Sequence, residues 1–191
     1  RQKLTLSGTY NVARDADFAA LPMDLRDDDT WMLNLSHSAK FEGRTLQSLE
    51  STLFGTFVDH LMDNRLKPLE PRMVNASTEA KTKSYGGRFE ATFRTQNRLF
   101  YLGADYRAEQ AEGTRVREFL MGPMAGNTAF DNAWQDGIIQ KTGLFAEYHI
   151  INTPNTMKWV ISGRIERNSS DLNDPASEFT EIQGEVSSTQ W

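Results

Sequence analysis

The feature that most constrains this 191-residue chain is a series of alternating segments whose connections are sorted by length. In the first, Leu4, Leu6, Tyr10 and Val12 fall on one side, and Lys3, Thr5, Ser7, Thr9 and Asn11 on the other. That two-residue period is the side-chain period of a β-strand. Trp31–Phe41, Leu49–Met62, Tyr85–Arg94, Phe100–Glu109, Thr142–Ile151 and Lys158–Asn168 repeat it, and Phe179–Trp191 carries a weak eighth pattern. Residues 13–30, 63–80, 112–137 and 168–175 form long polar intervals. Glu42–Arg44, Gln96–Arg98 and Asn152–Asn155 are short turns. Long and short connections therefore strictly alternate.

A soluble sandwich or up-and-down barrel has no reason to sort its connections in this way. A membrane barrel does, because its periplasmic turns are short and its extracellular loops long. The sequence therefore predicts an all-β fold: an antiparallel transmembrane β-barrel segment of about seven to eight strands with short periplasmic turns and long extracellular loops. Residues 1–191 are expected to form one partial outer-membrane barrel domain without a plug, facing outer-membrane lipid in the bacterial outer membrane. The competing soluble fold uses the same alternation inverted, with its apolar face as the core.

Bulk properties exclude several function classes. The chain has no cysteine, which removes disulfides, zinc fingers and thiolate nucleophiles. A net charge of −5 argues against a nucleic-acid partner. No apolar run reaches the roughly 20 residues that a membrane helix needs. No nucleophile stands in a pattern with a base and an orienting group, so neither an enzyme nor a bound cofactor is expected.

Chemistry concentrates in Val58-Asp59-His60-Leu61-Met62-Asp63-Asn64. His60 and Met62 are two positions apart, so a strand aims both at one face. An imidazole and a thioether together form half of a site for a soft metal such as Cu(I). Met121 and Met124, flanking Gly122-Pro123, are weaker soft-metal candidates. Asp27–Asp29 reads as a solvated loop tip that raises the local cation concentration. His149 shares a face with Glu147, and His37 falls on an apolar face near an interface. Arg88 with Glu90 and Glu147 with Glu166 read as charge ladders on the polar wall, not as acid–base pairs.

Longer runs carry a family resemblance. Phe54-Gly-Thr-Phe-Val-Asp-His60, then Asn75, then Lys83-Ser-Tyr-Gly-Gly-Arg-Phe-Glu90 resemble a segment of TonB-dependent outer-membrane receptors. Thr142-Gly-Leu-Phe-Ala-Glu-Tyr148 followed by Ser162-Gly-Arg-Ile-Glu166 looks like a later strand pair of that family. The stretch around His60, with Leu21-Pro22-Met23-Asp24 and Asp28-Asp29-Thr30-Trp31, is most similar to the TonB-dependent copper receptors. That resemblance implies that His60 and Met62 are copper ligands on the barrel wall. The family's remaining ligands, a Cys and a Met on its plug, have no counterpart in this sequence. The resemblance also implies a barrel of about 22 strands, of which this chain supplies a part.

Together these readings predict part of a TonB-dependent receptor that imports copper or another metal or metal chelate. Its expected partners are outer-membrane lipid, the transported metal, and TonB and the plug domain through the rest of the receptor. The alternative is a self-contained eight-stranded outer-membrane barrel with a structural or adhesive role.

Overall fold

The computed structural model describes residues 1–152, 157–173, 175 and 187–190. They form eight strands: β1 (Gln2–Ala16), β2 (Asp24–Lys40), β3 (Leu46–Asp63), β4 (Val74–Thr95), β5 (Arg98–Phe119), β6 (Thr128–Asn152), β7 (Met157–Leu172) and β8 (Ser187–Gln190). All pair antiparallel, each with its sequence neighbour, in one sheet of order β1 to β8. The expected all-β antiparallel sheet is therefore the fold. Among the described residues β1 and β8 lie at opposite edges and do not pair with each other.

The strands are longer than their alternating cores. The loop expected at 13–30 shrinks to 17–23, the one at 63–80 to 64–73, and the one at 112–137 to 120–127. The sorting survives, since the opposite end turns through 41–45 and 96–97. The remaining turn, expected at Asn152–Asn155, lies largely outside the described residues. So does most of the eighth strand expected over Phe179–Trp191. The extra strand length was hidden because both faces become polar beyond the apolar cores, and polarity without periodicity reads as loop. Register shifts at Leu25/Asp27 and around Gly113 also break the period.

Among the described residues the sheet has almost no core. The buried apolar residues are Leu25 and five alanines. Its apolar face is bare instead: Leu6 is 76% exposed and Ile161 64%. Leu33, Leu53, Phe89, Leu102, Leu144 and Ile165 continue that face across the strands. So large an apolar surface must be covered.

Aromatic rings bound the band on both sides. Tyr10 stacks on Trp31 with ring centroids 4.3 Å apart, and Tyr85 meets Tyr106 at 6.5 Å. Near the turn end Phe93 meets Phe100 at 6.1 Å, and Tyr148 is the register partner of Phe100. Tyr85 and Phe93 are separated by roughly 27 Å along β4, at about 3.4 Å per residue. That fits the apolar band of about 25 Å between the two aromatic girdles of a membrane barrel.

The other face is mostly polar, with Met32, Phe54 and Val58 among its residues. β1 to β3 line it with Thr5, Ser7, Asn34, Ser36 and Thr52, and β4 to β7 with charges. Arg164 crosses Gly143 to reach both Asp105 oxygens at 2.6 and 2.8 Å, and it meets Glu166 at 2.6 Å. The Arg88 guanidinium lies 4.4 Å over the Phe145 ring and meets Glu90 at 2.9 Å. Phe145 itself covers Gly103, where a Cβ would meet its ring at 2.1 Å. The expected Arg88–Glu90 ladder is present. Glu147 and Glu166 divide differently, with Glu147 bonded to His149 and Glu166 to Arg164.

This assignment of faces predicts a labelling pattern. Cysteines replacing Leu102, Leu144 or Ile165 in membrane-inserted protein should react with a lipid-soluble thiol reagent. Cysteines at Thr5, Ser36 or Thr52 should react with a water-soluble one. Swapped reactivities would mean that the apolar face is not the covered face.

Candidate metal centre

His60 and Met62 lie near the loop end of β3 and share the polar face. Phe57 marks the upper aromatic level, so His60 is three residues past the apolar band, roughly 10 Å along the strand. Lys81 and Asp59 occupy the opposite face at this level and pair at 3.6 Å, which confirms that neither face is apolar here. The candidate residues therefore stand outside the apolar band.

The neighbouring strands complete the surroundings. Asp28 of β2 and Ala80 of β4 are the register partners of His60. The His60 Nδ1 lies 3.1 Å from Asp28 Oδ2. A carboxylate accepts, so the facing nitrogen carries the proton and donates, leaving the Nε2 lone pair free. Thr30 Oγ1 donates to the other Asp28 oxygen at 2.8 Å, which fixes the carboxylate plane. A carboxylate that orients a histidine through its non-ligating nitrogen is the usual support of a metal-binding imidazole.

Met62 faces Leu25 on β2 and Thr78 on β4. The Thr78 hydroxyl donates to the sulfur of Met23 at 3.8 Å. Directly opposed residues of an antiparallel pair have Cβ atoms about 5 Å apart, so the Met23 sulfur is one side chain away from Met62. An imidazole nitrogen and two thioethers thus gather on one patch of wall. Among the described residues no three of His, Cys, Asp and Glu gather as a metal site. The patch offers soft donors instead.

Sequence reasoning missed Asp28 and misread its neighbours. Asp27–Asp29 is a stretch of β2 and not a loop tip. Asp27 and Asp29 point away from His60 and pair with Arg14 at 2.6 and 2.9 Å. Asp28 meets His60 in the register that runs unbroken from Lys40–Ser48, and the extra residue Arg26, just beyond, shifts the pairing so that Leu25 faces Met62. The signal available was Asp28-x-Thr30 against His60-x-Met62, two patterns of the same period. Only the strand pairing shows that they face each other.

Met121 and Met124 lie elsewhere. They occupy the exposed turn 120–127, where Gly122 and Gly126 adopt φ of +84°. The register partner of Ala80 is Gly113, eight residues before Met121 on β5, so the turn stands well above the His60 level. His149 is buried near the turn end, bonded to Glu147 and 5.1 Å from the Tyr101 ring. His37 pairs in register with Leu4 and Ser51 on the apolar face.

Two charged clusters surround the patch. On the polar face Arg115 clasps Asp131 through two bonds of 3.1 and 2.5 Å, and Arg117 adds a third at 3.3 Å. The Arg115 guanidinium holds the Asp131 carboxyl below the usual carboxylate range. A depressed folded pKa contributes stability at and above the ordinary carboxylate pKa, and that contribution is lost as pH falls through the depressed value. Protection of the amides at 128–132, relative to their intrinsic exchange rates, should therefore be kept at pH 5 and fall only in stronger acid. An equal fall in an Asp131→Asn variant would show that this pair is not responsible. The second cluster, around Asp24, lies at the loop base. There Lys67 and the Phe18 N–H hold the Asp24 carboxyl below the usual range.

No protein-family model matches the chain, and no curated protein matches it by sequence. Among solved structures it is similar to one titled "Copper transporter OprC", with a TM-score of 0.73 over 90% of this chain at 19% identity. The chain spans 26% of the length of that protein. The likeness shows the fold, an all-β antiparallel sheet.

Proposed function

We propose that this chain is a wall segment of a TonB-dependent outer-membrane receptor that takes up copper, bound as Cu(I) at the extracellular mouth by His60 and Met62. The observation that carries the reading is the His60–Asp28 pair beside Met62. Asp28 presents the imidazole with Nε2 free, and the thioether leaves the same face two residues on. Nitrogen and thioether donors without thiolate or carboxylate ligands suit a soft, singly charged ion. Met23 supplies a second thioether from the adjoining loop. The apolar band faces outer-membrane lipid, the short turns face the periplasm, and the polar wall faces the lumen. TonB and the plug act through the rest of the receptor. The likeness to a copper transporter's fold supports the reading without carrying it.

The test is Cu(I) affinity of the intact receptor by competition with a Cu(I) chelator. His60→Ala and Met62→Leu should each weaken binding by about 10- to 100-fold, and Asp28→Asn, which keeps the shape but loses the charge, by about tenfold. Unchanged affinity in both ligand variants sinks the copper site. Uptake of an iron chelate with no copper binding at all would move the assignment to a metal chelate.

A further inference from the structure

The loop end of the sheet contains an ion pair that the candidate centre does not use. Asp24 is only 3% exposed, although it begins a strand beside a surface loop. Its Oδ1 accepts the Lys67 ammonium at 2.5 Å and the Phe18 N–H at 2.9 Å. Lys67 also donates to the Phe18 carbonyl at 2.5 Å. One ammonium from loop 64–73 thus grips both ends of loop 17–23. The Lys67 side chain is 11% exposed, so the pair is shielded from water.

The surroundings make this a rigid anchor. Arg72 donates to the Asn64 and Lys67 carbonyls at 2.9 and 2.5 Å, which holds Lys67 from behind. Asn64 is buried, accepting the Ala76 N–H at 2.8 Å and donating to the Val74 carbonyl at 3.0 Å. Arg26 ties the start of β2 to Asp63 at 2.9 Å. An exposed pair between two loops would contribute little. A buried one is costly to desolvate and is best attested where it fixes one arrangement among several.

What it fixes is adjacent in sequence. Met23 immediately precedes Asp24, in the bend by which loop 17–23 enters β2. With Asp24 gripped, the Met23 sulfur lies against Thr78, the register partner of Met62. We propose that Asp24 and Lys67 are positioning residues, a latch that locks loops 17–23 and 64–73 together so that the Met23 thioether is held at the metal site. The proposal rests on the copper reading above.

The test uses the intact receptor in detergent, with Cu(I) as the probe. Asp24→Asn should weaken Cu(I) binding about tenfold, as losing an outer support of a ligand does. In a Met23→Leu background the same change should add nothing, because the latch then has no donor to position. Lys67→Met should behave like Asp24→Asn, and Lys67→Arg should retain most of the affinity. A nitroxide on Ala20→Cys should become more mobile in Asp24→Asn in both backgrounds. Heat-modifiable migration establishes that each variant is folded; if Asp24→Asn fails there, the Lys67→Met and Lys67→Arg pair carries the comparison. A loosened loop with unchanged affinity, or equal losses in both Met23 backgrounds, overturns the latch while leaving the copper site standing. Unchanged affinity in His60→Ala overturns the copper reading, and the latch falls with it.

Discussion

Refolded alone in detergent, residues 1–191 are expected to give no compact, heat-modifiable monomer. The reason lies in the sheet's edges. Among the described residues β1 pairs only with β2, so the outer side of Leu4–Val12 presents N–H and C=O groups with no partner among them at the depth of the apolar band. Each such group costs several kcal/mol in hydrocarbon. Even a handful exceeds the roughly 5–15 kcal/mol that stabilises a typical domain. At the other edge β8 pairs with β7 only over Asn168–Asp171, which leaves the lower half of β7 without a partner among the described residues. Disulfide trapping between cysteines placed in 4–12 and 187–190 is the direct measurement. Efficient trapping in a heat-modifiable monomer would establish the small closed barrel and its structural or adhesive role instead.

The second large effect is expected at Gly86. A Cβ there would stand 2.2 Å from the Tyr106 carbonyl oxygen, 2.9 Å from the Phe54 ring and 3.1 Å from the Arg107 Cα. Two of those obstacles are backbone of the paired strand and cannot rotate away. Gly86→Ala should therefore force β4 and β5 apart and cost about 3 kcal/mol or more, at the upper end of overpacking effects. Gly163→Ala is the control, because nothing lies within 4 Å of its added methyl. It should fold with nearly unchanged yield. Folding yield of the two variants in the intact receptor decides the matter. Equal yields would show that the sheet can relax at Gly86.

Sequence pattern revealed the fold where one face was apolar and the other polar. Leu4–Val12 and Phe100–Glu109 declared themselves as strands because apolar and polar residues alternate there. The same chain became illegible past the girdle, where Lys81, Thr82 and Lys83 continue β4 with polar residues on both sides. The acidic run Asp27–Asp29 failed for a related reason. Three like residues carry no period, although they continue β2 in the same register as its apolar core. At the candidate centre, His60 and Met62 were visible because two unusual side chains sit at strand spacing. Asp28 and Thr78 were not, since their relation to His60 and Met62 exists only across hydrogen-bonded strands. The Asp24–Lys67 bond joins residues 43 positions apart and leaves no local trace.

The overhang of β4, β5 and β6 has a mechanical consequence. β5 runs 13 residues past Tyr106 to Phe119, roughly 44 Å at about 3.4 Å per residue. Held at its base and braced where neighbouring strands pair with it, such a ribbon behaves as a cantilever. Thermal sway grows steeply toward the tip and nearly vanishes at the root. β2 and β3 stiffen the ribbon up to the level of Asp63, Ser77 and Val116, so only the last residues of β5 and the turn carrying Met121 and Met124 swing, while His60 and Met62 lie below that level with strands bracing β3 on both sides. A turn can thus sweep the solution beyond the sheet while one patch of wall stays nearly motionless.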